Sequence, residues 1–297
     1  MATDGSATGP YRSEVQRGVE YAVHDGVSLR GDLYTPTAPG AYPALVMLHG
    51  GAWRMGSPAS LESWGEFLAQ HGYVVFAAAY RLVQDGKPAY PQNVHDAKAA
   101  VQFVRGQGAA VKADPARIGV GGTSAGGHLA ALVGVTGDAP RLAGAYPDDR
   151  YAGVSSAVKA AVCVYGVYDL VRAWEHGQRQ GTEPSSVGEC LGGSPRDLPA
   201  VYEEASPLCW VRPDNNRVPF MLVWGTADDV VNPETQSMAF AAALEGAGTR
   251  VVALPVEGAA HYWFGERPGT TPGLTTWPGP YNAYVAPHLL RFLVEYL

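Results

Sequence analysis

The chain of 297 residues has few cysteines, few charged residues and no long apolar run. Its three cysteines form no CxxC pair and leave an odd residue over, so we expect reduced thiols in a cytoplasmic protein. Its 21 basic residues form no cluster against 28 acidic ones, which argues against nucleic acid as a partner. The apolar run YVVFAAAY (73–80) is too short to span a bilayer, and MATDGSATGPYRSE does not resemble a signal peptide. No membrane partner is therefore expected.

Strand-like and helix-like segments alternate along the chain, and 46% of the residues are hydrophobic, enough for a sizeable core. Residues 19–36 predict a hairpin that turns at Asp25–Gly26. Apolar strands that end in glycine then alternate with amphipathic helices. This order predicts an α/β fold with a mostly parallel central sheet and helices on both faces. Residues 1–17 would form an N-terminal extension and residues 18–297 the domain.

One segment, residues 167–217, interrupts this alternation and is rich in proline, glycine, serine and charge. A loop of this length inside a compact domain is usually functional or a small subdomain. Its place between two strand ends puts it over the edge where α/β sheets bind ligands. We therefore expect a cap or lid insertion, built as a loose cover. A surface insertion without a role is the alternative.

The sequence GTSAG at residues 122–126 carries a strong functional signal. A G-x-S-x-G motif between an apolar strand and a helix is typical of a nucleophile elbow, in which the serine occupies a strained turn above the sheet. Glycines two residues to either side let the neighbouring backbone pass without meeting a Cβ. Ser124 is therefore the expected nucleophile, and a purely structural turn is the alternative.

A serine nucleophile needs a base, and His261 in GAAHYWF follows the last predicted strand. The chain order serine, acid, histidine of α/β-hydrolases places the acid between Ser124 and His261. Asp228 lies at the tip of the strand 218–224 and is the expected acid, whereas Asp229 is expected to point outward. The acid would hold the tautomer of the imidazole, and the imidazole would take the serine proton.

Glycines in HGGAW, residues 49–53, would let backbone N–H groups approach a substrate oxygen. The expected oxyanion donors are the N–H groups of Gly51, Ala52 and Ala125. The aromatic residues expected to line an apolar pocket, unless they fill the core, are Trp53, Trp210, Tyr262 and Trp263. No histidine spacing matches a metal motif such as HExxH, so neither a metal nor another cofactor is expected.

Together, HGGAW, GTSAGGHLAAL, WGTADDVV and GAAHYWF resemble the α/β-hydrolase superfamily, in the family's order and over nearly the whole chain from about residue 18. Within it the chain is most similar to the esterase and lipase group around hormone-sensitive lipase and the acetyl- and feruloyl-esterase-like hydrolases. The resemblance implies an α/β-hydrolase fold and a serine esterase that forms an acyl-enzyme. The pattern HGG-x-W is also similar to arylformamidases.

Three functions remain open from the sequence. The first is hydrolysis of a small-molecule carboxylic ester, small and uncharged because aromatic residues near the site favour apolar groups and the net charge of −7 disfavours anions. The second is amide or formamide hydrolysis by the same three residues. The third is a non-catalytic scaffold, which commonly loses one of them. A homodimer is a further expectation.

Overall fold

The computed structural model describes residues 11–143, 145–182, 184–213, 218–264 and 278–297. Within these residues eight strands form one sheet: β1 Ser13–His24, β2 Val27–Pro36, β3 Tyr42–Leu48, β4 Val74–Ala78, β5 Ala113–Thr123, β6 Ala161–Val164, β7 Phe220–Gly225 and β8 Val251–Val256. Their order is β1-β2-β4-β3-β5-β6-β7-β8. The pairs β1–β2 and β2–β4 are antiparallel and the other pairs are parallel, as the alternating sequence pattern predicts.

The described helices are α1 Glu62–Gln70, α2 Gln92–Gln107, α3 Ala125–Thr136, α4 Leu170–Arg179, α5 Ser186–Leu191, α6 Pro199–Ala205, α7 Ala239–Gly246 and α8 Pro280–Tyr296. They divide between two hydrophobic cores, one on each face of the sheet. The helices α2, α3 and α7 contribute to one core, whereas α1 and α8 contribute to the other. The prediction of helices on both faces is confirmed.

The central strand β3 shows why the sheet needs both layers. Ala44, Val46 and Leu48 face the core of α2 and α3, and Leu45 and Met47 face the core of α1 and α8. All five side chains are buried, because side chains alternate between the faces of a strand and helices cover both faces of this sheet. The continuous apolar run in the sequence is therefore one strand.

The N-terminal hairpin turns at Asp25 and Gly26, whose φ angles are +51° and +78°. Two consecutive positive φ angles match the right-handed twist of a two-residue hairpin, and Asp-Gly is a favoured pair for that turn. Strand β1 begins at Ser13, which pairs with Pro36. The predicted boundary of an extension at residue 17 is therefore wrong, because residues 13–17 belong to the sheet. Residues 1–10 lie outside the described residues.

Residues 167–213, called the cap segment below, lie between β6 and β7, and their described part holds three short α-helices and one 3-10 helix, Pro207–Trp210. The Asp169 carboxylate caps α4 by accepting the N–H of Arg172, and the Ser185 hydroxyl caps α5 by accepting the N–H of Gly188. Pro199 begins α6 at a position where a missing N–H costs nothing. The last four residues of the predicted insertion, 214–217, lie outside the described residues.

The cap segment is anchored in the core that α2, α3 and α7 share, called the main core below. Eight of its described side chains are buried in the same core as α2 and α3: Val167, Tyr168, Leu170, Val187, Cys190, Leu191, Tyr202 and Ala205. Burial of this kind stabilises short helices whose own length would leave them marginal in water. The expectation of a loose cover is therefore wrong for the described part of the segment.

A buried charge cluster joins β1 to α2. His24 Nδ1 lies 2.7 Å from Asp96 Oδ1, and its Nε2 lies 2.6 Å from Asp149 Oδ2. Arg81 donates to both Asp96 oxygens at 2.7 and 2.8 Å, and Tyr146 stacks on the His24 ring. Because carboxylates accept, both ring nitrogens donate and His24 is protonated. Burial lowers the pKa of His24, but the two carboxylates outweigh burial and the pKa is raised.

We expect His24→Gln to lower the free energy of unfolding by about 2–3 kcal/mol near pH 6, because the substitution removes the charged ring that pairs with the two carboxylates. The contribution of a group with a raised pKa is complete below its unfolded value of about 6.5 and is lost as pH rises through the folded value. The difference in the free energy of unfolding between wild type and variant, measured by urea unfolding, should therefore shrink toward pH 9. A difference that widens toward alkaline pH would contradict a charged His24.

Candidate active site

Ser124 occupies a strained turn between β5 and α3. Its φ is +52° and its ψ is −117°, a backbone conformation that costs energy for any residue with a Cβ. Its N–H donates to the Val164 carbonyl at 2.9 Å, which ties the turn to the next strand. A Cβ on Gly122 would lie 2.3 Å from the Gly126 carbonyl oxygen, so this turn requires glycine there. The geometry is that of the predicted elbow.

Ser124, His261 and Asp228 form one chain of hydrogen bonds. His261 Nε2 lies 3.0 Å from Ser124 Oγ, and His261 Nδ1 lies 2.6 Å from Asp228 Oδ2. The other carboxylate oxygen accepts the N–H groups of Val230 and Val231 at 3.0 and 2.8 Å. Since the carboxylate accepts, Nδ1 carries the proton and Nε2 is left to accept the serine hydroxyl. This tautomer can take a proton from Ser124.

The loops that carry the acid and the histidine are tied to each other. The Ala227 N–H donates to the Ala259 carbonyl at 3.0 Å. A Cβ on Gly225 would lie 2.1 Å from the same carbonyl oxygen, so the end of β7 and the segment after β8 are in backbone contact. His261 also packs against the Tyr165 ring, with 4.4 Å between ring centroids. These contacts fix the imidazole between the acid and the serine.

The loop after β3, residues 49–55, is called the HGG loop below. Its residues Gly51 and Ala52 line the same cleft as Ser124. Their φ angles are +122° and +53°, and a Cβ on Gly51 would lie 2.1 Å from the Met55 carbonyl oxygen. The N–H of Ala52 donates to no backbone carbonyl in the described ranges, and the N–H of Ala125 is at the start of α3, where helices leave it unpaired. Such N–H groups can bind an anionic oxygen.

His49 stabilises the start of the HGG loop as a neutral ring. Its Nδ1 donates to the Gly50 carbonyl at 2.8 Å, and its ring stacks on Tyr80 with centroids 4.4 Å apart. The Tyr80 hydroxyl donates to the His49 carbonyl at 2.7 Å. Burial lowers the pKa of His49 to about 4, so the ring stays uncharged near neutral pH.

The cleft beside Ser124 has a volume of about 590 Å³. The cap segment and the loop after β7 form much of its wall. Its aliphatic lining residues are Val167, Ala173, Val187, Val230 and Val231, and its polar lining residues include His176, Gln180, Thr182, Asn232 and Thr235. Among the described residues, no cluster of side chains could hold a metal ion, and no helix combines the length and apolar character needed to cross a membrane.

Comparison with known proteins supplies the family. The model of the BD-FAE family matches residues 31–244. The chain belongs to the BD-FAE family. It is 31% identical over 229 residues to the esterase LipQ of Mycobacterium tuberculosis, an alignment that covers 76% of this chain and 52% of LipQ. The chain thus spans about half the length of the curated relatives it matches.

Solved structures agree with this family assignment. The propionate-bound esterase Est2 of Thermogutta terrifontis has a TM-score of 0.72 and 31% identity, covering 98% of this chain and 95% of Est2. The same esterase phosphoramylated by tabun has a TM-score of 0.71 and 31% identity, covering 95% of this chain and 94% of that one. The predicted α/β-hydrolase fold and the resemblance to serine esterases are confirmed. The closer similarity to hormone-sensitive lipase and to acetyl- and feruloyl-esterases stays a prediction.

Two of the four aromatic residues predicted at the site of this BD-FAE protein line its cleft. Tyr262 lines it and is 54% exposed, and Trp53 lines it although its side chain is 2% exposed. Trp263 is buried against the rings of Tyr165 and Tyr281. Trp210 packs against the main core and donates to the Glu204 carbonyl at 2.8 Å. Neither Trp210 nor Trp263 is among the described lining residues, which corrects that expectation.

The sequence interpretation missed the lining residues that the cap segment supplies. His176 is in the last turn of α4 and Gln180 directly follows that helix, and His176 Nε2 lies 3.0 Å from the Asp229 carbonyl oxygen. The signal for α4 is present in the sequence, because Asp169 stands three residues before the N–H that it caps. The glycine and proline content of the segment favours a loop and conceals that signal.

Asp228→Asn and Asp229→Asn form a matched pair. We expect Asp228→Asn to lower kcat for a p-nitrophenyl ester by about 10⁴-fold, as the equivalent change does in serine proteases, because an amide would favour the wrong imidazole tautomer. Asp229 is exposed and is outside the hydrogen-bonded chain, so Asp229→Asn should have a far smaller effect. Steady-state kinetics on both folded variants measure the difference. A larger loss in Asp229→Asn would show that the acid is misassigned.

Proposed function

We propose that this protein hydrolyses small, uncharged carboxylic esters through an acyl-enzyme on Ser124. In this mechanism His261 is the general base, and the Asp228 carboxylate orients the His261 ring. One observation carries the proposal: an unbroken chain of hydrogen bonds runs from the buried Asp228 carboxylate through His261 to Ser124 at the wall of a cleft. The named esterases among its relatives support the same activity.

In the proposed first step, His261 Nε2 takes the hydroxyl proton as Ser124 Oγ attacks the ester carbonyl carbon. The carbonyl electrons move onto oxygen, and the ester C–O bond then breaks. The alcohol leaves with the proton from His261, and the acyl group stays on Ser124. In the second step His261 takes a proton from water, the hydroxide attacks the acyl carbon, and Ser124 recovers its proton as the acid leaves.

In this proposal the N–H groups of Gly51, Ala52 and Ala125 donate hydrogen bonds to the oxyanion. The first two come from the HGG loop and the third from the start of α3, on the positive end of that helix dipole. The assignment is supported by the absence of a backbone acceptor for the Ala52 N–H within the described residues. One such donor is typically worth about 3 kcal/mol in the transition state.

The lining of the cleft supports a short acyl group. Val167, Val187 and Val231 are small, branched and uncharged, and they line the same cleft as Ser124. The Thermogutta esterase Est2 has been solved with propionate and with butyrate bound, which are both short carboxylates. At the mouth, Met55 and Tyr262 expose apolar surface that suits an uncharged leaving alcohol.

The proposal includes an expected cellular compartment and an expected oligomeric state. The three cysteines are free thiols, and two of them are buried, which supports a reducing compartment such as the cytoplasm. A homodimer stays a prediction.

The formamidase alternative is weakened because the relatives named above are esterases. The scaffold alternative is weakened because Ser124, His261 and Asp228 keep hydrogen-bonded geometry.

A panel of p-nitrophenyl esters with increasing acyl length, beside N-formylkynurenine, tests the proposal. We expect kcat/KM to be highest for acyl groups of about two to four carbons and to exceed that for the formamide. Ser124→Ala should abolish turnover of every substrate and leave the fold intact, because the turn accepts a small side chain. A formamide preferred by about tenfold or more, a free-energy difference of about 1.4 kcal/mol, would replace the ester proposal with the formamidase.

A further inference from the structure

The HGG loop is held in an unfavourable backbone conformation. Gly51, Ala52 and Trp53 have consecutive positive φ angles, of which those of Ala52 and Trp53 are +53° and +58°. The left-handed region costs roughly 1–2 kcal/mol for a residue with a Cβ, so tertiary contacts must hold these two residues there. The Trp53 carbonyl accepts the N–H of Val83 at 2.8 Å. The Trp53 indole is buried and lies against His128.

His128 is on α3, one turn after Ser124, and its N–H donates to the Ser124 carbonyl at 2.9 Å. Its ring makes two hydrogen bonds. Nδ1 lies 3.2 Å from Trp53 Nε1, and Nε2 lies 2.8 Å from the carbonyl oxygen of Ala205 at the end of α6. An indole N–H only donates and a carbonyl only accepts. The ring is therefore neutral, with its proton on Nε2 and its lone pair on Nδ1.

A charged ring would lose this arrangement, because both of its nitrogens would donate and the Trp53 N–H would face a second N–H. Burial lowers the pKa of His128 to about 4, which keeps the ring neutral across the range where an esterase would work. Trp53, His128 and Ala205 together connect the HGG loop, the nucleophile helix and the cap segment. The next residue of the loop, Arg54, also reaches the cap by donating to the Pro184 carbonyl at 2.6 Å.

We propose that His128 is a positioning residue, which holds the HGG loop against the nucleophile helix through Trp53 and is itself fixed by the Ala205 carbonyl of the cap. The inference rests on the proposed function, because it assigns the oxyanion to N–H groups of this loop. The Trp53 side chain fixes the residue directly after Ala52. A shift of that residue moves the Ala52 N–H relative to Ser124, and misplacement of about 1 Å can cost about 10²-fold in rate.

Trp53→Phe tests the link, because it removes the N–H and keeps a buried, smaller aromatic ring. We expect kcat for a short ester to fall by about tenfold or more while KM changes little, since the oxyanion forms only in the transition state. A trifluoromethyl ketone, which forms an anionic tetrahedral adduct on a serine, should lose affinity by the same factor. Tyr21→Phe is the matched control, because it removes the hydrogen bond that Tyr21, on the edge strand β1, donates to the Ala79 carbonyl.

His128→Leu and His128→Asn form a second pair of similar size. Both lose the bond to Ala205, but the Asn oxygen can accept the Trp53 N–H where Nδ1 did. We expect His128→Asn to keep several-fold more kcat than His128→Leu, and this difference to vanish when Trp53→Phe is also present, which is the signature of a direct interaction. If His128→Leu does not fold, Trp53→Phe and its combination with His128→Asn decide the question.

Wild-type activity and its loss in Ser124→Ala are measured first, because these measurements separate a failure of the proposed esterase function from a failure of the role proposed for His128. An inactive wild type would reject the proposed function and this inference together. An active wild type with an undiminished kcat in folded Trp53→Phe would reject this inference alone. The inference is also rejected if the whole effect is a raised KM, or if Tyr21→Phe loses as much kcat as Trp53→Phe.

Discussion

The backbone of the nucleophile turn runs in direct contact with the end of β3, and the site depends on that approach. A Cβ on Gly126 would lie 2.1 Å from the Leu48 carbonyl oxygen and 2.4 Å from the His49 carbonyl oxygen. Because glycine leaves this space free, the start of α3 and the HGG loop lie side by side. Any larger residue at position 126 would push Ser124 away from the N–H groups of the loop.

Local rules explain why much of the fold and site could be predicted. The hairpin followed from Asp25–Gly26, which favours positive φ, and β3 followed from an apolar run that only a strand covered on both faces would need. Ser124, Asp228 and His261 lie in one hydrogen-bonded chain, as glycine spacing and chain order predicted. Carboxyl ends of parallel strands meet at one edge of a sheet, so residues distant in sequence converge there. Their catalytic roles stay proposals.

The cap segment and the aromatic residues were harder to predict, because tertiary contacts decide both. Helices as short as α5 and α6 have little stability of their own, and buried side chains such as Tyr202 hold them. Trp263 directly follows Tyr262 of the cleft, yet its indole is buried in a core. Whether an aromatic ring enters a cleft or a core depends on neighbours that are distant in sequence.

Covalent labelling is the most direct test of Ser124 as the nucleophile, because an organophosphate such as paraoxon reports an activated serine without any assumption about the substrate. Mass spectrometry of the intact protein, followed by peptide mapping, gives the number of adducts and their positions. We expect one diethylphosphoryl group per chain, on Ser124, with loss of esterase activity in proportion to labelling. A stable adduct on another residue with Ser124 unmodified, or a fully folded and active enzyme that stays unlabelled under excess reagent, would contradict this expectation.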